Sequence, residues 1–258
     1  MRPLPKPAAR PAPIRAAAAT TSLVVAVISL AAAVLLTGCQ SVPPPLAFEH
    51  TTRIAVRRIC LTPLGVPEQP QVTIMNPIGA GFGVVGNLIE SHRTAAASAE
   101  MTGVLTQAHY DFRTSLTEAI TIAMRKVGFT VSRTDGARPQ SDREKFLSKY
   151  PQRSQVDAYL DIYAPYFGFQ APQSSVDYRP RVELVARLVS TKDGSTLFQN
   201  HIVYGTTTGS DDDAILVRAD ENVSFRDRTA LQANPASTAR ALQSAIDSVA
   251  WELAKQFM

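Results

Sequence analysis

Across residues 110–127, Phe112, Leu116, Ala119, Ile120, Ala123 and Val127 recur at steps of three and four. That spacing puts one apolar stripe on a helix, and Gly128 supplies its left-handed stop. A short strand is expected directly afterwards, over 129–132. Residues 156–164 alternate instead: Val156, Ala158, Leu160 and Ile162 fall on one face, and Asp157, Tyr159, Asp161 and Tyr163 on the other. This is the pattern of a half-exposed sheet strand. Segments 181–190 and 196–204 also read as strands, with Lys192-Asp193-Gly194 as the hairpin turn between them. The chain closes with a second amphipathic helix, N-capped by Ser237 or Thr238 after Pro235. Leu242, Ala245, Ile246, Val249, Leu253 and Phe257 form its buried stripe, and Trp251 lies off that line.

Upstream, 53–61 carries Ile54, Val56, Ile59 and Cys60 in a β-prone run, whose broken alternation predicts a bulge near Arg57-Arg58. A small helix is expected near 142–149. The order of elements is β-α-β-β-β-β-α. It predicts an α+β fold with a mixed sheet of four to five strands and two long amphipathic helices packed on one face.

The first forty residues have a different character. Arg2, Lys6, Arg10 and Arg15 precede the apolar stretch 22–36, and no acid lies among them. A charged region followed by a short apolar one is the layout of an export signal. The stretch is shorter than the ~20 residues of a spanning helix. Leu36, Thr37 and Gly38 before Cys39 resemble a lipobox, in which small residues fit the signal peptidase and the cysteine thiol takes lipid. The resemblance implies a signal peptide over 1–38, cleavage before Cys39 and anchorage through the acylated Cys39. At ~0.8 kcal/mol per buried methylene, several acyl chains hold a domain to a bilayer effectively permanently. Gln40 stands where an Asp favours inner-membrane retention, so the expectation is an outer-membrane lipoprotein with its domain facing the periplasm. Residues 39–51, with Pro43-Pro44-Pro45, read as a stiff extended tether, and 52–258 as a single domain.

Charge then removes one function class. Four of the 26 Lys and Arg residues, and none of the 22 Asp and Glu residues, precede Cys39, so the remainder carries 22 of each. Binding to nucleic acid has no electrostatic support. Cys60 is the only thiol besides Cys39. It reads as a small buried hydrophobe, and no intramolecular disulfide is available to it once Cys39 is acylated.

An apolar, Gly-rich stretch at 72–89 interrupts the fold, inside an insertion spanning about 66–106. Gly81, Phe82, Gly83 and Gly86 formally match the dinucleotide fingerprint G-x-G-x-x-G. No crossover strand follows within a βαβ unit and no acid stands at the expected place, so no nucleotide is expected. Gly79 and Gly83, four apart, flatten one helix face for a partner or a bilayer. The alternative is a Gly-rich loop or short helix that simply covers the sheet. The aromatic run from Tyr159 and Tyr163 to Phe169 likewise reads either as a contact surface or as cross-strand packing.

No catalytic constellation emerges. His50, His92, His109 and His201 lack metal-ligand spacing. Asp211-Asp212-Asp213 lacks the alternating pattern of a calcium loop. Asp157 and Asp161, about 13 Å apart along a strand, are too distant for a glycosidase pair. Neither a metal nor a cofactor is expected, and the chain does not read as an enzyme.

The opening segment Arg53-Ile54-Ala55-Val56, the helix-to-strand step Lys126-Val127-Gly128-Phe129 and the strand Asp157-Ala158-Tyr159-Leu160 carry a family likeness. With the element order, they resemble the periplasmic domain shared by the curli-secretion lipoprotein, the lipoprotein activators of peptidoglycan synthases and the amino-terminal domain of the Tol-system propeller protein. Segments 184–198 and 225–235 resemble those of envelope lipoproteins without an assigned activity. The resemblance implies a non-catalytic binding or accessory component of an envelope assembly or export complex. Its partners would be membrane lipid, through Cys39, and envelope proteins or further copies of itself. An oligomeric export-channel component and, more distantly, an envelope hydrolase are the alternatives.

Overall fold

The alternation at 156–164 is the first half of a much longer strand, β4 (Ala158–Gln173), around which the sheet is arranged. The computed structural model describes residues 43–76, 83–151, 155–173, 177–206 and 213–258. Its other strands are β1 (Arg58–Leu61), β2 (Gln71–Asn76), β3 (Thr130–Arg133), β5 (Arg179–Ser190), β6 (Thr196–Tyr204) and β7 (Ile215–Val217). They form one seven-stranded mixed sheet of order β3-β1-β4-β5-β6-β7, with β2 also paired to β4. The α+β class is as expected, but the sheet exceeds the four to five strands read from the sequence. The additional strands are β2, with its mixed polar and apolar residues, and β7, too short to show a period.

β4 is long enough to take two partners on one edge. Its first residues pair in parallel with β1 and its last with β2. Between them Gly65 bridges Tyr163, and the Ala164 N–H donates to the Gly65 carbonyl at 2.6 Å. β4, β5 and β6 follow one another antiparallel, as the hairpin signal at 192–194 requires. In that turn Asp193 accepts from the Ser195 N–H at 3.1 Å and from its hydroxyl at 2.8 Å. These bonds, the backbone one foremost, hold its carboxyl down to about 2. A group depressed on folding stabilises the native state above its unfolded value and loses that contribution as pH falls through the folded one. Asp193→Ala is therefore expected to flatten the acid limb of the stability curve between about pH 4 and pH 2. Urea midpoints across that interval check this; a limb of unchanged slope contradicts it.

The helices are α1 (His50–Ala55), α2 (Gly83–Gln107), α3 (Phe112–Lys126), α4 (Arg228–Ala233) and α5 (Pro235–Lys255). Helix α3 starts where its stripe starts, with the Asp111 carboxylate accepting from the Thr114 N–H at 2.6 Å. It packs against α5, whose predicted stripe is buried from Leu242 to Leu253. Ile246 and Val249 of α5 share one core with Leu116 and Ile120 of α3 and with Leu160 and Leu188 of the sheet. Each such side chain contributes about 1.5–3 kcal/mol through burial. Trp251 is exposed, as its place off the stripe implies. The N-cap of α5 is Asn234 rather than Ser237 or Thr238; its side chain accepts from the Ser237 N–H at 3.0 Å, and Pro235 occupies the first turn.

Three further expectations change. Residues 53–61 are not one strand: 50–55 are helical, and the ladder starts at Arg58 because the Asp157 carboxylate takes the N–H groups of Arg57 and Arg58 at 2.9 and 2.7 Å. The helix expected near 142–149 is a single 3-10 turn, Gln140–Asp142. The Pro-rich tether does not stay clear of the domain. Leu46 exchanges backbone hydrogen bonds with Gln199 of β6, and Phe48 packs edge-on against Phe257 at 5.1 Å. β7 spans three residues, so it leaves the rest of that β6 edge open to such a segment.

Candidate functional site

The parallel strands β3, β1 and β4 lie side by side, and the chain leaves the ends of β1 and β3 over opposite faces of the sheet. After β1 it runs through β2 to the helices, whose side chains share a core with Ile59, Leu61 and Leu160. After β3 it crosses the other face, where Cys60, Val156 and Tyr159 form a separate cluster with Tyr150. A crevice at the carboxyl ends of adjacent strands whose connections diverge is where open parallel sheets place ligands.

Residues 138–150 are pinned over that second face by one buried carboxylate. Asp161 is completely buried and accepts four hydrogen bonds: from the Arg138 guanidinium (2.8 Å), the Thr62 hydroxyl (3.0 Å), the Leu147 N–H (2.7 Å) and the Tyr150 hydroxyl (2.8 Å). Arg138, its side chain 2% exposed, also donates to the carbonyls of Asp142, Pro63 and Lys145. The Tyr150 hydroxyl accepts from Arg187 at 2.7 Å, and burial, followed by the Asp161 charge, raises its pKa. Close approach at Gly65 completes the fit. A Cβ there would stand 2.2 Å from the Arg143 carbonyl and 2.9 Å from Arg138 Nε.

Beside this network, at the carboxyl end of β1, opens a pocket of about 310 Å3. Leu61, Thr62, Pro63 and Leu64 form one wall, Arg113 and Thr117 of α3 another, and Arg133, Thr134, Gly136, Ala137, Arg138 and Arg143 the third. Four arginines line it and no Asp or Glu does. Arg113 donates to the Leu64 carbonyl. Arg143 pairs with Glu68, whose side chain is 73% exposed, and Arg133 donates to the Thr121 hydroxyl at 3.0 Å. Partial burial, then the Arg143 and Arg138 cations, hold Arg113 below its ordinary range.

The residues singled out from the sequence are distributed differently. Tyr159 and Tyr163 are 3% and 7% exposed, so they are packing residues and not a contact surface. Tyr159 stacks on Tyr150 at 5.3 Å, and Tyr163 meets Phe146 edge-on at 5.1 Å, because residues 138–150 cover the face expected to be open. Asp161 is enclosed for the same reason. Cys60 is a free, buried thiol. The insertion does supply a sheet strand, β2, whose Val72 is in the core. Gly83 and Gly86 lie in the first turn of α2. That helix leads into α3, not into a strand beside β2, so no βαβ unit forms around the glycines. Gly79, Gly81, Phe82, Leu36, Thr37, Gly38, Cys39, Asp211 and Asp212 lie outside the described residues. No motif announced the arginines: Arg133, Arg138 and Arg143 recur at five-residue steps, which is readable, but Arg113 joins them only through the fold.

No helix among the described residues is long and apolar enough to cross a membrane. No family model matches the chain, and no curated protein matches it in sequence. Among solved structures it is similar to a protein of the DUF330 family from Xanthomonas campestris: 13% identity, 83% of this chain and 88% of the other, TM-score 0.39. It is also similar to the PelC dodecamer protein of Paraburkholderia phytofirmans: 12% identity, 80% and 93% coverage, TM-score 0.33. A third likeness is to the lipoprotein GNA1162 of Neisseria meningitidis: 14% identity, 59% and 88% coverage, TM-score 0.29. Likenesses of this depth do not extend to what the chain binds.

Proposed function

We propose that the chain is a lipid-anchored component of the bacterial envelope that works by binding rather than by catalysis, as an accessory part of an assembly or export complex. The anchor is Cys39 after the lipobox-like Leu36-Thr37-Gly38, and the domain faces the periplasm from the outer membrane. The observation that carries the binding role is the pocket at the end of β1, whose lining of guanidinium, hydroxyl and backbone groups suits recognition of a charged partner. Its partners are membrane lipid, through the acyl chains, and envelope proteins or further copies of the chain.

Labelling of growing cells with a palmitate analogue is expected to mark the wild type and not Cys39→Ser, and the variant is expected to leave the membrane fraction. Crosslinking in intact cells is expected to capture a discrete envelope partner or a self-oligomer. Bulky replacements at Gly79, Gly81 and Gly83 test whether that stretch contributes to the contact. A Cys39→Ser protein that stays lipidated and membrane-bound, or crosslinking that captures nothing specific, sinks this reading.

A further inference from the structure

We infer that the arginine-lined pocket at the carboxyl end of β1 is a phosphate site, binding a phosphoryl group that is either free or esterified to a larger molecule. The inference deepens the binding role proposed above by naming the ligand class of the same pocket. Its first support is convergence. Arg113 comes from helix α3, Arg133 from the end of the edge strand β3 and Arg143 from the connection after it, so the arginines that line the cavity come from three separate elements. A carboxylate offers two coplanar oxygens that match a single guanidinium fork. A tetrahedral phosphoryl group offers oxygens to several forks at once.

The second support is the charge balance. No carboxylate lines the pocket, and among the described residues Arg113 has no acid within ion-pair distance. Among the described residues Arg143 pairs with Glu68, an exposed partner whose hold on it is weak and screened by solvent. A ligand anion can replace that partner at little cost. Arg138 has a different part. With four of its five N–H groups given to Asp161 and three carbonyls, it fixes the pocket wall. Thr117 and Thr134 also line the pocket, their hydroxyls donating to the Arg113 and Leu61 carbonyls.

The test uses the full chain in an uncharged detergent, titrated calorimetrically with inorganic phosphate and separately with glycerol phosphate, at constant ionic strength in chloride. Saturable one-to-one binding is expected. Arg113→Gln is expected to weaken it about tenfold or more, the effect of losing one charge-assisted hydrogen bond. Thr117→Glu, which sets a carboxylate against the pocket from a half-buried position of α3, is expected to abolish it, and the distant Arg240→Gln to leave it unchanged. Tighter binding of glycerol phosphate assigns the site to an esterified headgroup; tighter binding of inorganic phosphate assigns it to the free ion. The inference is overturned if neither probe binds, if acetate binds as tightly, or if Thr117→Glu binds phosphate like the wild type. None of those outcomes affects the lipidation and crosslinking results, so the two readings fail separately.

Discussion

Asp161→Ala is expected to destabilise the domain by about 3–5 kcal/mol, the cost of breaking a buried ion pair by removing one partner. Two effects combine. Arg138 keeps its charge with its side chain 2% exposed and loses the only carboxylate bonded to it among the described residues. The Thr62 and Tyr150 hydroxyls and the Leu147 N–H lose their acceptor in the same interior. For groups taken out of water, an unmet hydrogen bond costs about 1–3 kcal/mol. Urea unfolding of Asp161→Leu, of Arg138→Met and of the two combined separates these effects. The double variant is expected to recover the part of the loss due to the unpaired Arg138 charge, since it removes both charges together, and to keep the part due to the donors left without Asp161. A double variant as unstable as the sum of the singles contradicts this account.

The second large effect is expected at Gly168→Ala. Gly168 has φ +148°, and an added Cβ would lie 1.9 Å from the Gln71 carbonyl oxygen and 2.7 Å from its nitrogen. Backbone strain at such a position costs about 1–3 kcal/mol. Overpacking costs a similar amount, about 1–3 kcal/mol. The entropy gained by replacing glycine, about 0.4–1 kcal/mol, does not offset them. Because Gln71 and Gly168 face each other where β2 meets β4, the strain is relieved most cheaply by moving β2 away. Hydrogen exchange is expected to accelerate over 71–76 far more than over the β5–β6 hairpin. Uniform acceleration across the sheet, or none, shows that β2 is not held by this contact.

Both sites illustrate what could be read along the chain and what could not. Local periodicity sufficed for α3, for α5 and for the β5–β6 hairpin, because each carries its stripe or turn residue within one short window: Leu116 and Ile120, Leu242 and Ile246, Lys192-Asp193-Gly194. The end of β4 is not legible along the chain because the aromatic run changes register between Tyr163 and Tyr166 and then passes Gly168, so alternation stops while the strand continues. Helix α2 does not stand out in the sequence because its buried apolar residues, among them Ala97, Met101, Val104 and Leu105, are set among Ala, Ser and Thr and draw no strong stripe. The sequence leaves Tyr159 and Tyr163 open between contact surface and cross-strand packing, because nothing in the pattern of 138–150 shows that this stretch folds over them.

The sequence by itself determined the two amphipathic helices, the antiparallel run of β4, β5 and β6 and the α+β class. It also carries the stretch before Cys39 that resembles an export signal, and the equal number of basic and acidic residues, 22 of each, from Cys39 onward. Those properties are local or additive. The tertiary structure alone decided that residues 138–150 cover Tyr159 and Tyr163 on the second face of the sheet. It also decided that Asp161 and Arg138 meet in the interior and that Arg113, twenty residues before Arg133 in the chain, faces the same cavity. Such encounters depend on the direction taken by the connections after β1 and β3. That direction is set by the burial of the whole sheet, which no single window of sequence encodes.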